Sequence, residues 1–224
     1  GILENRPLKL RNFISDSVQL AGLRIINAAA KSGGYHVNRG IPYGSEPRNQ
    51  LDHYVLHTGD AEDKVKRPLV LFIYGGNWQS GHRGNYRFVA DTLCSLGYDV
   101  VVPDYRLYPN VRFSGILADV RMAITWVMNS EEIESRRPIY DMGHSAGAQR
   151  GSLLCLNPAL LSDLPGAEKR IAAFIGLSGP YDFYPYTEES HWDLFAPKHE
   201  YPLSQAVNFV RPDAPLLYLL HGKE

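Results

Sequence analysis

Ile139-Tyr140-Asp141-Met142-Gly143-His144-Ser145-Ala146-Gly147-Ala148 is the stretch on which the fold turns. Its first four residues read as a short strand, and Ala146 to Leu156 continues as a helix, so Gly143 to Gly147, a Gly-x-Ser-x-Gly pattern, falls on a strand-to-helix turn. Glycines on both flanks avoid the clashes that such a turn creates, and the Ser145 hydroxyl projects into the crevice at the carboxyl ends of the strands. The N–H of Ala146, at the start of the helix, points to where negative charge would form on an attacked carbonyl. The pentapeptide alone is a weak signal, so its surroundings decide.

Outward from this turn the chain alternates. Apolar runs at Leu69 to Tyr74, Asp99 to Pro103, Ile139 to Met142, Ile171 to Ser178 and Pro215 to Leu220 read as strands. Segments at Tyr86 to Leu96, Phe113 to Met128 and Ala146 to Leu156 read as helices between them. Continuous apolar strands joined by helical crossovers belong to a parallel sheet buried on both faces. Tyr35 to Tyr43 and Leu51 to His57, separated by turn-rich Gly44 to Asn49, predict an antiparallel hairpin in front of it. The expectation is a doubly wound, mostly parallel α/β sheet led by that hairpin, forming one domain over residues 1–224. Residues 1–34 form an N-terminal extension whose Leu8 to Lys31 carries a basic, amphipathic helical pattern. Residues 180–211 break the rhythm: they hold eight aromatic residues among prolines and acids and read as a lid-like insertion.

Composition narrows the class. The 224 residues carry 23 Lys+Arg against 24 Asp+Glu, which excludes the electrostatic footprint of a nucleic-acid binder. The longest apolar run, about six residues at Leu69 to Tyr74, is far short of the roughly 20 that span a bilayer. Cys94 and Cys155 form neither a disulfide framework nor a zinc-ligand pattern and read as buried, unpaired helix thiols. No metal or organic cofactor is implied. The chain starts at Gly1 without a secretory pattern, so any targeting segment is absent or removed, and a soluble protein of the cytoplasm, the periplasm or the secreted fraction fits equally. Nothing in the pattern fixes the oligomeric state.

A second source of N–H donors for Ser145 is the loop after the Leu69 strand, Gly75-Gly76-Asn77-Trp78, where glycines let the backbone approach a reacting carbonyl. Trp78, Tyr181 and Trp192 are the candidate substrate contacts. Asp104 and Arg106, two residues apart, are expected to pair as a buttress of the crevice, with Asp119 in the same network. Asp182, just beyond the Ile171 strand, is the candidate acid; the alternative is a turn-stabilising Asx residue.

YGGNWQSG at 74–81, PDYRLYP at 103–109, GHSAG at 143–147, SGPYDF at 178–183 and LLHG at 219–222 occur in an order that resembles the α/β-hydrolase superfamily. The likeness is to its esterase/lipase branch, which holds hormone-sensitive-lipase-like enzymes, arylformamidases and prenylcysteine methylesterases. It covers the chain from about Gly40 onward and implies the α/β-hydrolase fold. It also implies that Gly76 and Asn77 supply oxyanion N–H groups, with Gly75 beside them; Tyr74 stands where most members have His. The family order is Ser, then an acid, then His. On that order the acid follows the turn at His221-Gly222, close to Glu224, so the last strand and helix and the triad histidine are expected to be missing from these residues. Of the histidines present, His144 lies inside the motif, His36, His53 and His57 lie in the hairpin, and His221 lies in a turn. His191 and His199 sit in the aromatic insertion, where packing or surface roles are the simpler reading.

Three functions follow. The first is a serine hydrolase of the carboxylesterase kind, acting on a small-molecule ester or amide with an apolar or aryl acyl group. The second is a non-catalytic pseudo-hydrolase that binds a ligand or partner in the same crevice. A nucleotide-binding α/β protein, the third, lacks a glycine-rich phosphate loop after its early strands.

Overall fold

Residue types decide which strands lie inside. In the computed structural model, which describes residues 34–57 and 59–222, all five side chains of β3 (Leu69–Ile73) and all four of β4 (Val100–Pro103) are buried. Strands apolar on both faces need cover on both. The remaining strands are β1 (Tyr35–Pro42), β2 (Gln50–Leu56), β5 (Ile139–His144), β6 (Ile171–Leu177) and β7 (Leu216–Leu220). They form one sheet in the order β1-β2-β4-β3-β5-β6-β7, in which β2 runs antiparallel to β1 and β4 while the pairs from β4 to β7 are parallel. The mostly parallel sheet led by a hairpin is therefore present, with strand ends within two residues of those expected. The proposed helix at Leu8 to Lys31 lies outside the described residues.

The helices are α1 (Ala61–Lys66), α2 (Arg87–Ser95), α3 (Phe113–Asn129), α4 (Ala146–Leu156), α5 (Ala167–Arg170) and α6 (Glu189–Leu194). Helix α1 was not expected; Asp60 caps it by accepting the Asp63 N–H at 2.9 Å. Every residue of α4 is buried, so it is enclosed on all sides rather than amphipathic. Cys94 on α2 and Cys155 on α4 are both buried free thiols.

Topology places the crevice. The chain moves outward from β3 to β4 and then returns to the other side of β3 with β5, so the strand order reverses between β3 and β5. Ligands of open α/β sheets bind at the carboxyl ends of the strands at such a reversal. With Ile73 level with Gly143, the loops that leave β3 and β5 begin side by side. The segment at 180–211 folds as α6 and two 3₁₀ stretches, Lys198–Ser204 and Ala206–Phe209, packed over that end. At the far edge, β7 pairs among the described residues with β6 alone, and Leu216, Leu217, Tyr218, Leu219 and Leu220 are all exposed. No helix among the described residues is long and apolar enough to cross a membrane.

Candidate active site

Ser145 stands between β5 and α4 with φ +52° and ψ −124°, a backbone conformation that a non-glycine residue adopts at a cost of about 1–3 kcal/mol. Three contacts hold it there. Its N–H donates to the Leu177 carbonyl at 2.8 Å, tying the turn to β6, and its carbonyl accepts the Ala148 N–H at 2.9 Å. Gly147 supplies the third: a Cβ there would lie 2.1 Å from the Ile73 carbonyl oxygen, so α4 can approach β3 this closely only without a side chain.

The β3 loop comes equally close. A Cβ on Gly75 would meet Ser145 Cβ at 3.0 Å and the His144 carbonyl oxygen at 2.9 Å. Gly76 (φ +130°), Asn77 (φ +50°) and Trp78 (φ +60°) follow in succession, and the Gly76 carbonyl accepts the N–H groups of Gln79 and Ser80, each at 3.0 Å. With this carbonyl turned back into its own loop, the N–H groups of Gly76, Asn77 and Ala146 donate to no acceptor among the described residues. Of the residues expected here, Gly75 lies against Ser145, Ala146 follows Ser145 at the start of α4, and Gly76 and Asn77 continue the Gly75 loop.

A buried frame supports the loop from behind. The Tyr74 carbonyl accepts the Tyr105 hydroxyl at 2.7 Å and an Arg150 N–H at 3.1 Å, while the Tyr74 hydroxyl donates to Asp104 Oδ1. Burial, with Tyr105 and Asp104 beside it, holds the Tyr74 phenol well above its ordinary range, so it stays a donor. Asp104 is also bound by the Arg83 side chain and by the Arg83 N–H at 2.7 Å. The expected Asp104–Arg106 pair does not form. Arg106 turns to α3 instead and grips Asp119, with Nη2 at 2.7 Å from Oδ1 and Nε at 2.9 Å from Oδ2, because the Asp104 oxygens already serve Arg83 and Tyr74.

The insertion closes over the loop. Trp78 is buried; its Nε1 donates to Gln149 Oε1 at 3.1 Å, and Gln149 Nε2 donates to the Ser204 carbonyl at 2.8 Å. Rings of Phe183, His191 and Phe195 pack on Trp78. His191 is buried, with Nε2 3.3 Å from Asn77 Oδ1, and its burial lowers the imidazole pKa. Of the other candidates, Tyr181 is half-buried edge-on to Phe174, and Trp192 is partly exposed among Tyr184, Tyr186 and Tyr201. Asp182 is exposed and its carboxylate has no hydrogen-bond partner among the described residues. Nor does any described histidine hydrogen-bond to the Ser145 hydroxyl; His221 Nε2 lies 3.2 Å from the Gly179 carbonyl oxygen, and His199 is exposed. Sequence reasoning missed Gln149 and Arg150, whose signal was two polar residues inside an otherwise small and apolar helix.

Residues 56–224 match the BD-FAE family. The chain belongs to this family of α/β-hydrolase esterases. Among curated relatives of this BD-FAE chain, a probable isoprenylcysteine α-carbonyl methylesterase of Arabidopsis thaliana is 32% identical over 161 residues, covering 69% of the chain and 37% of the relative. A kynurenine formamidase of Drosophila melanogaster is 29% identical over 115 residues, covering 51% of the chain and 38% of the relative. The chain thus spans well under half the length of these relatives. Among solved structures, an inhibited esterase B from Lactobacillus rhamnosis superposes with a TM-score of 0.74 at 21% identity, covering 94% of this chain and 74% of that one, which identifies the fold.

Proposed function

We propose that this BD-FAE chain carries the nucleophile and oxyanion-binding half of a serine hydrolase that cleaves a carboxylic ester or a related amide. The observation that carries the reading is the strained Ser145 against the Gly75 loop, with the N–H groups of Gly76, Asn77 and Ala146 donating to no acceptor among the described residues. Ser145 Oγ attacks the carbonyl carbon as its proton passes to the base, and the three N–H groups stabilise the negative oxygen of the tetrahedral intermediate. Collapse of the intermediate breaks the ester or amide bond and expels the alcohol or amine, which takes that proton, and water then hydrolyses the acyl-enzyme to the free acid and Ser145. The bare Cα of Gly75 lets this loop lie against the serine. The reaction needs a histidine base at Ser145 and an acid behind it; Asp182 is the candidate acid among the described residues. Relatives named as a methylesterase and a formamidase support the ester and amide alternatives, and Trp78, Tyr181 and Trp192 are the side chains proposed to meet an apolar or aryl acyl group.

The test is hydrolysis of short p-nitrophenyl esters by this chain and by Ser145→Ala. Turnover lost in the variant supports the reading, and turnover that survives the substitution refutes it. A second reading, a ligand-binding module without turnover, is favoured by the absence of any histidine hydrogen-bonded to Ser145 among the described residues. It predicts saturable ester binding with no release of p-nitrophenol.

A further inference from the structure

Arg150 has no place in the chemistry above, yet its position is unusual. It is fully buried on α4, five residues beyond Ser145, which at a rise of 1.5 Å per residue is about 7.5 Å along the helix axis. No carboxylate pairs with it among the described residues. The titratable groups around it are the phenols of Tyr105, Tyr74 and Tyr86, which burial keeps protonated and uncharged. Its guanidinium lies 4.2 Å from the centre of the Tyr105 ring, and Nη2 donates to the Tyr74 carbonyl at 3.1 Å. Nε and Nη1 have no hydrogen-bond partner among the described residues. A buried cation with two unused donors and no counter-ion costs stability, and a well-packed apolar side chain of similar volume would serve the core better. The cost of holding it there calls for a return elsewhere.

That return is local. Tyr74 is the last residue before the Gly75–Trp78 loop, and its carbonyl is gripped from two sides, by the Tyr105 hydroxyl and by Arg150. Fixing this carbonyl fixes the peptide plane that leads into Gly75, and so the direction in which the following N–H groups point. The guanidinium is also a positive charge buried behind the loop, where its field on an anion forming near Ser145 is weakly screened.

We propose that Arg150 is a positioning residue that locks the end of β3 through the Tyr74 carbonyl and lends an uncompensated buried positive charge to the oxyanion side of Ser145. The proposal rests on the hydrolase reading for its rate effect, but not for its effect on the loop. The test compares the chain with Arg150→Met and Arg150→Lys, with Ser145→Ala as the control. Three quantities are measured: thermal stability, amide hydrogen exchange at Gln79 and Ser80, whose N–H groups close the loop on the Gly76 carbonyl, and the rate of fluorophosphonate attachment at Ser145.

Arg150→Met is expected to melt no lower than the parent, to exchange at Gln79 and Ser80 at least about tenfold faster, and to react with the probe about tenfold more slowly. With an ester substrate the loss should fall on kcat, with KM nearly unchanged, which a merely structural role would not produce. Arg150→Lys, which keeps the charge and a donor, should hold both loop exchange and probe rate within about threefold of the parent. Unchanged loop exchange in Arg150→Met overturns the proposal. Should Arg150→Met fail to fold, Arg150→Lys decides: loop protection retained supports the proposal, and loop protection lost overturns it. A parent chain that does not react at Ser145 counts against the hydrolase reading, and the exchange comparison still decides on Arg150.

Discussion

Replacing Asp141 by Asn should reverse part of the pH dependence of stability. Asp141 lies on β5, four residues before Ser145, with no exposed surface; Cys155 Sγ is 3.5 Å from Oδ2, and Oδ1 has no partner. Burial pushes its carboxyl up from the ordinary 3.8 to about 7. The folded chain therefore holds a proton that the unfolded chain releases between those values, so the contribution of this group falls as pH rises through that window and is level above it. The gap between 3.8 and about 7, at 1.36 kcal/mol per pH unit, amounts to about 4 kcal/mol. Of this, about 2–3 kcal/mol develops between pH 5 and pH 8. His53 works in the opposite sense: burial lowers it to about 4, so its contribution is lost as pH falls from 6.5 to 4. Both proteins retain His53, so it cancels in their difference. Urea unfolding followed by tryptophan fluorescence at pH 5, 6, 7 and 8 should show Asp141→Asn gaining about 2–3 kcal/mol on the parent across the series. A difference that stays flat or shrinks with rising pH refutes the reasoning.

Two further substitutions test the frame around the site. Arg106→Ala strands the fully buried Asp119 carboxylate and should cost about 2–3 kcal/mol, somewhat below a fully enclosed pair because Arg106 is partly exposed; chemical unfolding measures it, and combining Arg106→Met with Asp119→Leu should recover most of the loss. Gly147→Ala drives a Cβ to 2.1 Å from the Ile73 carbonyl oxygen and should cost about 3 kcal/mol or more, read as a lowered melting temperature, whereas an unchanged melt would mean that α4 can move away from β3 without loss.

The sheet was legible because its strands are unmixed. LVLFI at 69–73 and VVVP at 100–103 are buried at every position, and only a doubly covered parallel sheet accepts such runs. The turn at Ser145 was legible for a similar reason: two glycines and a serine between a strand and a helix leave few conformations. Side-chain pairing was not legible. Asp104 and Arg106 are near neighbours in sequence, but their partners Arg83 and Asp119 come from a loop and a helix whose approach depends on the whole sheet. His191 shows the same limit, since its contact with Asn77 spans 114 positions and leaves no local pattern. Gln149 and Arg150 were visible as polar residues in an apolar helix, but their partners Trp78, Ser204 and Tyr74 were not.

The central claim, that Ser145 is the nucleophile beside the Gly76, Asn77 and Ala146 N–H groups, is tested most directly by treating the folded chain with a fluorophosphonate probe and mapping the adduct by peptide mass spectrometry. The account predicts a single adduct, on the peptide containing Ser145, that disappears in Ser145→Ala. An adduct on another serine, or labelling undiminished in Ser145→Ala, would contradict it.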